Sequence, residues 1–381
     1  MNSQIDKNSD VPDSEVKYVS SLYGGFWDLD VKDFCYMTNP YFPPEEFLAD
    51  LGARLQVLIK GYPSTNWHIS SLLAKSLGLT QQELIVANGA SELISTITGR
   101  FVQNLAVPVP TFNEYINRAE VQGKSVSPFV TSGDFELDPE AFIQHVQSTR
   151  ANSALLIQPN NPTGTFISKE NMRYLLESLR SLDLILVDES FIEFVNAEPN
   201  PSVVDLIFEY PNLIILKSLS KNYGIPGLRL GYAASGNQDR VADLRQDLPI
   251  WNINSLAQFF LEKMPDYQEQ FYRSCELLKS ATQRMYSGLQ DISYIKPYPT
   301  QGNFVLCRIL HGFNASELTA HLFNRHRILV NNCGGKEGLD DSFLRLACRT
   351  EEENAELLEA LRDLEGFCRK DDLPASIGGI L

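Results

Sequence analysis

Between positions 84 and 233 short apolar runs alternate with longer stretches in which apolar residues recur every third or fourth position. The runs at 84–87, 106–109, 154–158, 184–187, 213–216 and 228–233 read as strands. Among the intervening stretches, Ser168 can cap a helix whose Met172, Leu175, Leu176 and Leu179 fall at i, i+3, i+4 and i+7. Strand and helix in alternation predict an α/β unit: a mostly parallel sheet with helices on both faces.

The pattern changes after 254. A long helical stretch over 255–289 leads to a strand at 303–309, a helix near 316–324, and strand-like runs at 328–330 and 343–348. The last helix opens with a capping box, Thr350 to Glu353, and directs Leu357, Leu358, Leu361 and Leu364 inward. We expect a large domain over 45–254 and a smaller α+β domain over 15–44 and 255–368. The polar residues 1–14 are expected to be disordered, and 369–381 to form a loose tail. No repeat or low-complexity block intervenes, and the cleft between the domains is the default site.

Composition narrows the function. A chain of 381 residues, 43% apolar, is long enough for two or three domains at about 150 residues each. Forty-eight acidic against 32 basic residues leave a net charge of −16, which argues against nucleic acid and anionic membranes as partners. Any phosphate-bearing ligand then needs a local pocket of donors. Six scattered cysteines without a C-x-x-C pair suit a reducing compartment, and five histidines without ligand spacing leave no expected metal site. No apolar run reaches a membrane-spanning length and residues 1–11 carry no signal-peptide core, so the expectation is a soluble, cytoplasmic protein.

Four features fall where expected strands of the large domain end, the usual ligand position in an open parallel sheet. Asn88-Gly89-Ala90-Ser91-Glu92 is either an ordinary glycine turn or a helix start offering N–H groups to a phosphate. Gln158-Pro159-Asn160-Asn161-Pro162-Thr163-Gly164 makes a tight turn. In Val187-Asp188-Glu189-Ser190-Phe191 a carboxylate closes an apolar strand, either as a cap or as the partner of a buried cation. The fourth, 218–232, sets Lys221 after hydroxyls at −3 and −1 and before Arg229 at +8, a dense donor cluster.

Together these motifs resemble the fold type I pyridoxal 5′-phosphate (PLP) enzymes of the class I/II aminotransferase group, over about residues 20–366. Within it the chain resembles histidinol-phosphate aminotransferases. It is more similar still to threonine-phosphate decarboxylases and to the transaminase halves of nucleotidylyltransferase–transaminase proteins. Asp188-Glu189-Ser190-Phe191, the string at 223–232 and Ile250-Trp251-Asn252-Ile253-Asn254-Ser255 carry that closer likeness, without a nucleotidylyltransferase domain. The resemblance implies a PLP Schiff base on Lys221, which later moves the Cα proton, and Asp188 paired with the pyridinium nitrogen. It implies Asn161 at the cofactor O3′ and Phe112 stacked on the ring. The phosphate falls to Ala90, Ser91, Ser218 and Arg229, with Tyr62 reaching the neighbouring subunit of a homodimer. It assigns the substrate carboxylate to Arg345, with Arg349 as a second candidate; for either the plain reading is a surface ion pair. Tyr23, in Tyr23-Gly24-Gly25-Phe26, falls where such relatives put substrate-binding residues. Many aminotransferases have tyrosine where this chain has Phe191, which has no hydroxyl to offer O3′.

Three functions follow as expectations. The first is an aminotransferase acting on a small amino compound bearing phosphate or phosphonate. The second is an α-decarboxylase of phosphothreonine or phosphoserine. A non-catalytic regulator of the same fold is the third, and the absence of a basic helix-turn-helix segment speaks against it.

Overall fold

The computed structural model describes residues 13–197 and 201–367. The disorder expected for 1–12 and the tail expected at 369–381 lie outside the described residues. Asp13 and Ser14, also expected to be disordered, instead open the helix Asp13–Ser21.

A short strand, β1 (Lys32–Phe34), comes first in the chain. Next come β2 (Leu84–Asn88), β3 (Asn104–Val109), β4 (Ser125–Val130) and β5 (Ser153–Ile157). They are followed by β6 (Leu184–Asp188), β7 (Leu213–Ser218) and β8 (Leu230–Ala234). These last seven form one sheet in the order β2-β8-β7-β6-β5-β3-β4. Its pairs are parallel except those of β8, which runs antiparallel to β2 and β7. Strands β5 to β8 are buried at every position, so they read as apolar runs rather than as alternation. Alternate residues still serve opposite faces. Ile185 and Val187 pack with Met172 and Phe142 on one side, Leu184 and Leu186 with Leu93 and Ile97 on the other. Each such side chain contributes about 1.5–3 kcal/mol by leaving water.

The sequence pattern missed β4. It is one edge of the sheet, nowhere fully buried, and it carries Pro128, which an edge tolerates because one row of its backbone groups is unpaired. The strand expected from 228 starts at Leu230, because Pro226–Leu228 form a 3-10 turn and Arg229 is left-handed (φ 56°).

The remaining strands are β9 (Ile295–Pro297), β10 (Phe304–Ile309), β11 (Ile328–Asn332) and β12 (Phe343–Ala347). With β1 they form a five-stranded sheet, β1-β11-β12-β10-β9. β1 is parallel to β11, which brings the start of the described chain onto this second sheet. We propose the expected divisions at 44/45 and 254/255 as the boundaries between the units built on the two sheets. The single helical stretch expected over 255–289 is corrected to two helices, Ser255–Lys263 and Gln268–Gln290. A 3-10 turn, Met264–Tyr267, separates them at Pro265, whose nitrogen has no hydrogen to continue an α-helix. The last helix, Glu351–Asp363, has both halves of its capping box. It buries Leu357 and Leu361, with Leu364 just beyond it, while Leu358 is only partly covered.

Candidate active site

The carboxyl ends of β5, β6 and β7 converge with the start of the helix Ala90–Phe101. Lys221 lies in the one-turn helix Leu219–Asn222 that follows β7. Burial, then the charges of Arg345 and Arg229, push its ammonium down to about 8, against the pull of Asp33 and Asp188. Among the described residues Nζ makes no hydrogen bond and no ion pair. Asn39 fixes the turn from outside, its backbone N–H donating to the Lys221 carbonyl (2.8 Å) and its side chain to the Asn222 carbonyl (2.9 Å).

Asp188 ends β6 and is buried. Tyr115 Oη donates to Oδ2 (2.6 Å), and Ser190 donates to Oδ1 through both its N–H (2.9 Å) and its hydroxyl (2.5 Å). Ser190 Oγ in turn accepts from the Ser218 N–H (2.9 Å), locking the ends of β6 and β7 together. Desolvation raises the Asp188 carboxyl, and the three donors and Lys221 oppose that rise. Tyr115 is itself wholly buried beside this carboxylate, so its phenol is held well above its ordinary value and stays a donor. Neighbouring Glu189 points its charge elsewhere, accepting from Gln158, Ser202 and Val203.

Behind Lys221 the chain leaves a cradle. Gly89 has φ +79°, and a Cβ on it would lie 2.4 Å from Arg229 Nη2. Arg229 reaches Ser91 Oγ at 3.4 Å, and no side chain caps the helix start at Ala90. Ser218 caps the lysine's own turn, and the buried Ser220 hydroxyl has no partner among the described residues. Free N–H groups, three serine hydroxyls and a guanidinium gathered over a glycine, whose Cβ would displace that guanidinium, suit a phosphate ester. With an unpartnered lysine and a buried carboxylate beside them, these residues fit PLP.

The opposite wall comes from the second sheet. Arg345, central on β12 and buried, donates to Asn161 Oδ1 and to the Cys35 carbonyl, both at 2.6 Å. Asn161 is carried by the proline turn after β5, which Asn160 ties to the Pro110 carbonyl (2.9 Å). Asp33 on β1 accepts from the N–H groups of Cys35 (2.7 Å) and Tyr36 (3.2 Å), and its charge acts on Arg349, Arg345 and Lys221. Arg349 pairs with Glu353 at 3.2 Å on its own helix start, leaving its buried Nε unpartnered. Phe112 is 40% exposed and meets Tyr115 edge-on at 6.3 Å. Phe191 is buried edge-on against Phe304 (5.2 Å). Tyr23 and Tyr62 are 84% and 79% exposed, and among the described residues neither hydrogen-bonds a cleft residue; Tyr62 stacks on Trp251 at 4.4 Å.

The family model described as aminotransferase class I and II matches residues 28–361. The chain belongs to that family. Its fold is that of the fold type I PLP enzymes. A CMP-5'-(3-aminopropyl)phosphonate synthase of Streptomyces rubellomurinus is 34% identical over 365 residues, covering 95% of this chain and 58% of that protein. An L-serine phosphate decarboxylase of Campylobacter jejuni is 31% identical over 353 residues, covering 88% of this chain and 90% of that one. The solved structure of a decarboxylase from Sulfurospirillum multivorans superposes with a TM-score of 0.82 at 30% identity, covering 90% of this chain and 91% of that one. This member of the family thus spans little more than half of the synthase and nearly all of both decarboxylases.

The sequence of this aminotransferase-family chain did not point to Tyr115, Ser190 or Asp33 as site residues. Ser190 lies inside the 187–191 motif and Tyr115 three residues beyond Phe112, but only the fold turns their hydroxyls to Asp188. Asp33 has no local signal, since a lone acidic residue in a short N-terminal strand reads as surface. Among the described residues no helix is long and apolar enough to cross a membrane, and no group of metal-ligating side chains is present.

Proposed function

We propose that the cleft binds PLP and that the chain transfers the amino group of a small amino compound bearing phosphate or phosphonate. When bound, PLP supplies an aldehyde carbon that takes up an amino group and a ring that withdraws electrons from Cα. The chain's side chains supply the rest. Lys221 would hold the cofactor through Nζ and, once released, carry the proton at Cα. Asp188 would keep the ring nitrogen protonated, its own oxygens held by Tyr115 and Ser190. Ala90, Ser91, Ser218, Ser220 and Arg229 would hold the phosphate, Phe112 would cover the ring, and Asn161 would donate to O3′. Arg345 would grip the substrate carboxylate, with Arg349 nearby as a second cation and Tyr23 at the entrance. Tyr62 would complete the phosphate site of a neighbouring subunit, making the protein a homodimer. Five free thiols among the described residues suit a reducing compartment, and we assign the chain to the cytoplasm.

The observation that carries this reading is the unpartnered Lys221 Nζ between the buried Asp188 carboxylate and the Gly89–Arg229 cradle. Phosphate or phosphonate as the distal group rests on the Streptomyces synthase and the Campylobacter decarboxylase, whose names contain one each. Decarboxylation is the second reading, favoured by nearly full-length similarity to serine phosphate decarboxylases. One incubation separates them. The PLP-loaded protein is given phosphoserine and phosphothreonine, and carbon dioxide release and the pyridoxamine form of the cofactor are followed separately. Carbon dioxide without the pyridoxamine form would replace transfer by decarboxylation, and neither product from any phosphorylated amine would overturn the substrate class. Borohydride should attach the cofactor to Lys221, and attachment elsewhere would refute the assignment of that residue.

A further inference from the structure

Two basic side chains on one hairpin, β11–β12, rest on neutral oxygens, three from loops of the larger sheet and one from Cys35 just past β1. Arg345 meets Asn161 Oδ1 and the Cys35 carbonyl. Lys336, in the loop between the two strands, donates to the Thr111 carbonyl (2.9 Å) and to Asn113 Oδ1 (3.0 Å). Those two partners flank Phe112. The hairpin loop presses on the same segment, since a Cβ on Gly338 would lie 3.3 Å from Pro110 Cδ. Among the described residues no carboxylate pairs with Lys336 or Arg345. Burial and the nearby Arg345 charge push the Lys336 ammonium down to about 8.

The two cations repel each other; the Asp33 charge acts on Arg345, but no carboxylate charge acts on Lys336, so the pair is unfavourable until a further anion joins it. An exposed turn lysine would lie in water and face no neighbouring arginine. An ammonium offers three donors, and Thr111 and Asn113 occupy two of Lys336's. We propose that Lys336 is a specificity-determining residue that receives the phosphate or phosphonate at the far end of the substrate, while Arg345 holds the carboxylate. This rests on the substrate class proposed above. A dianionic ligand spanning Arg345 and Lys336 would match both unpaired charges, and a substrate without the distal anion would leave Lys336 as it is.

The probe is phosphonobutyrate, with the phosphonate on the carbon farthest from the carboxylate. It has the backbone length of phosphoserine and lacks the amino group, so binding is read without turnover. Calorimetry on the PLP-loaded protein compares it with butyrate. The wild-type protein is expected to bind phosphonobutyrate at least about tenfold tighter, the size of one charge-assisted hydrogen bond. Lys336→Gln is expected to erase that gap and leave the butyrate Kd unchanged. Lys336→Met repeats the test with the aliphatic stem kept, so that one variant with normal butyrate binding is enough to decide. A gap that survives in such a variant overturns the role of Lys336 and leaves the substrate class standing. Equal weakening of both ligands in both variants reduces Lys336 to a tie between hairpin and loop and overturns the proposal. No gap in the wild-type protein removes the substrate class itself.

Discussion

To hold a cofactor out of water as proposed, Lys221 must be buried, and to act as a nucleophile it must lose a proton. The fold meets both demands by desolvating it and turning two guanidinium groups toward it, which brings its ammonium from 10.5 to about 8. Only the neutral amine attacks, so PLP uptake by the apoprotein is expected to accelerate as pH rises through about 8 and to level off above it. Arg345→Gln removes the largest electrostatic cause and is expected to move that midpoint upward, read from the growth of the visible cofactor band. An unmoved midpoint would mean that the Arg345 charge does not reach Nζ. Asp188 is tuned the other way. Tyr115→Phe removes one donor that stabilises its charged form, so its carboxyl should titrate still higher. The acid limb of kcat/KM is then expected to shift to higher pH. Stability should fall by about 1–3 kcal/mol for the acceptor left unsatisfied. A fall in stability with no change in the acid limb would make Tyr115 a packing residue only. The lysine and the aspartate could be picked from the sequence because each breaks a local pattern. Tyr115 could not, since a buried tyrosine looks the same in sequence whether or not its hydroxyl meets a carboxylate.

Short elements deliver these side chains, and two glycines show how closely they are set. Gly89 precedes the helix Ala90–Phe101 with φ +79°, its missing Cβ facing Arg229 Nη2. In Gly89→Ala the guanidinium can swing aside, so the fold should survive, while PLP affinity is expected to fall about tenfold from a displaced charge-assisted contact. Reconstitution at graded PLP concentrations reads the change. Gly224 closes the lysine's turn at φ +59°, where a Cβ would meet the carbonyl oxygens of Phe42 and Asn39 at 2.1 and 2.4 Å. Backbone cannot swing aside, so Gly224→Ala is expected to destabilise the protein by about 2–4 kcal/mol. A melting temperature within a degree of wild type would contradict that packing. Strands were readable wherever both faces are buried, as at 184–187 and 213–216. The pattern failed at Ser125–Val130, whose edge position and half-exposed residues leave little contrast between apolar and polar sites. It also failed at Pro265, inside a stretch whose apolar spacing continues across the break.

On the molecule's surface Val57, Ile59, Tyr62, Ile250 and Trp251 are exposed and large, with Tyr62 stacked on Trp251. In the proposed homodimer these residues would lie at the contact between subunits, with Tyr62 reaching the neighbouring site. Sedimentation is expected to give a dimer. Trp251→Glu is expected to give a monomer with weaker PLP retention, and a dimer unaffected by that change would move the interface elsewhere. Local order was enough to set the α/β class, the strand ends where chemistry gathers, and the lysine, aspartate and glycine strings. Each of these depends on neighbours a few residues apart, which the chain carries in its own order. Only the tertiary structure decided that Arg345 and Asp33, about three hundred residues apart, bear on Lys221 from opposite sides of its titration, the first lowering it and the second raising it. It alone set a turn lysine, Lys336, against the loop that bears Phe112. Charge and burial act through space, and no spacing along the chain encodes which distant groups will share a low-dielectric cleft.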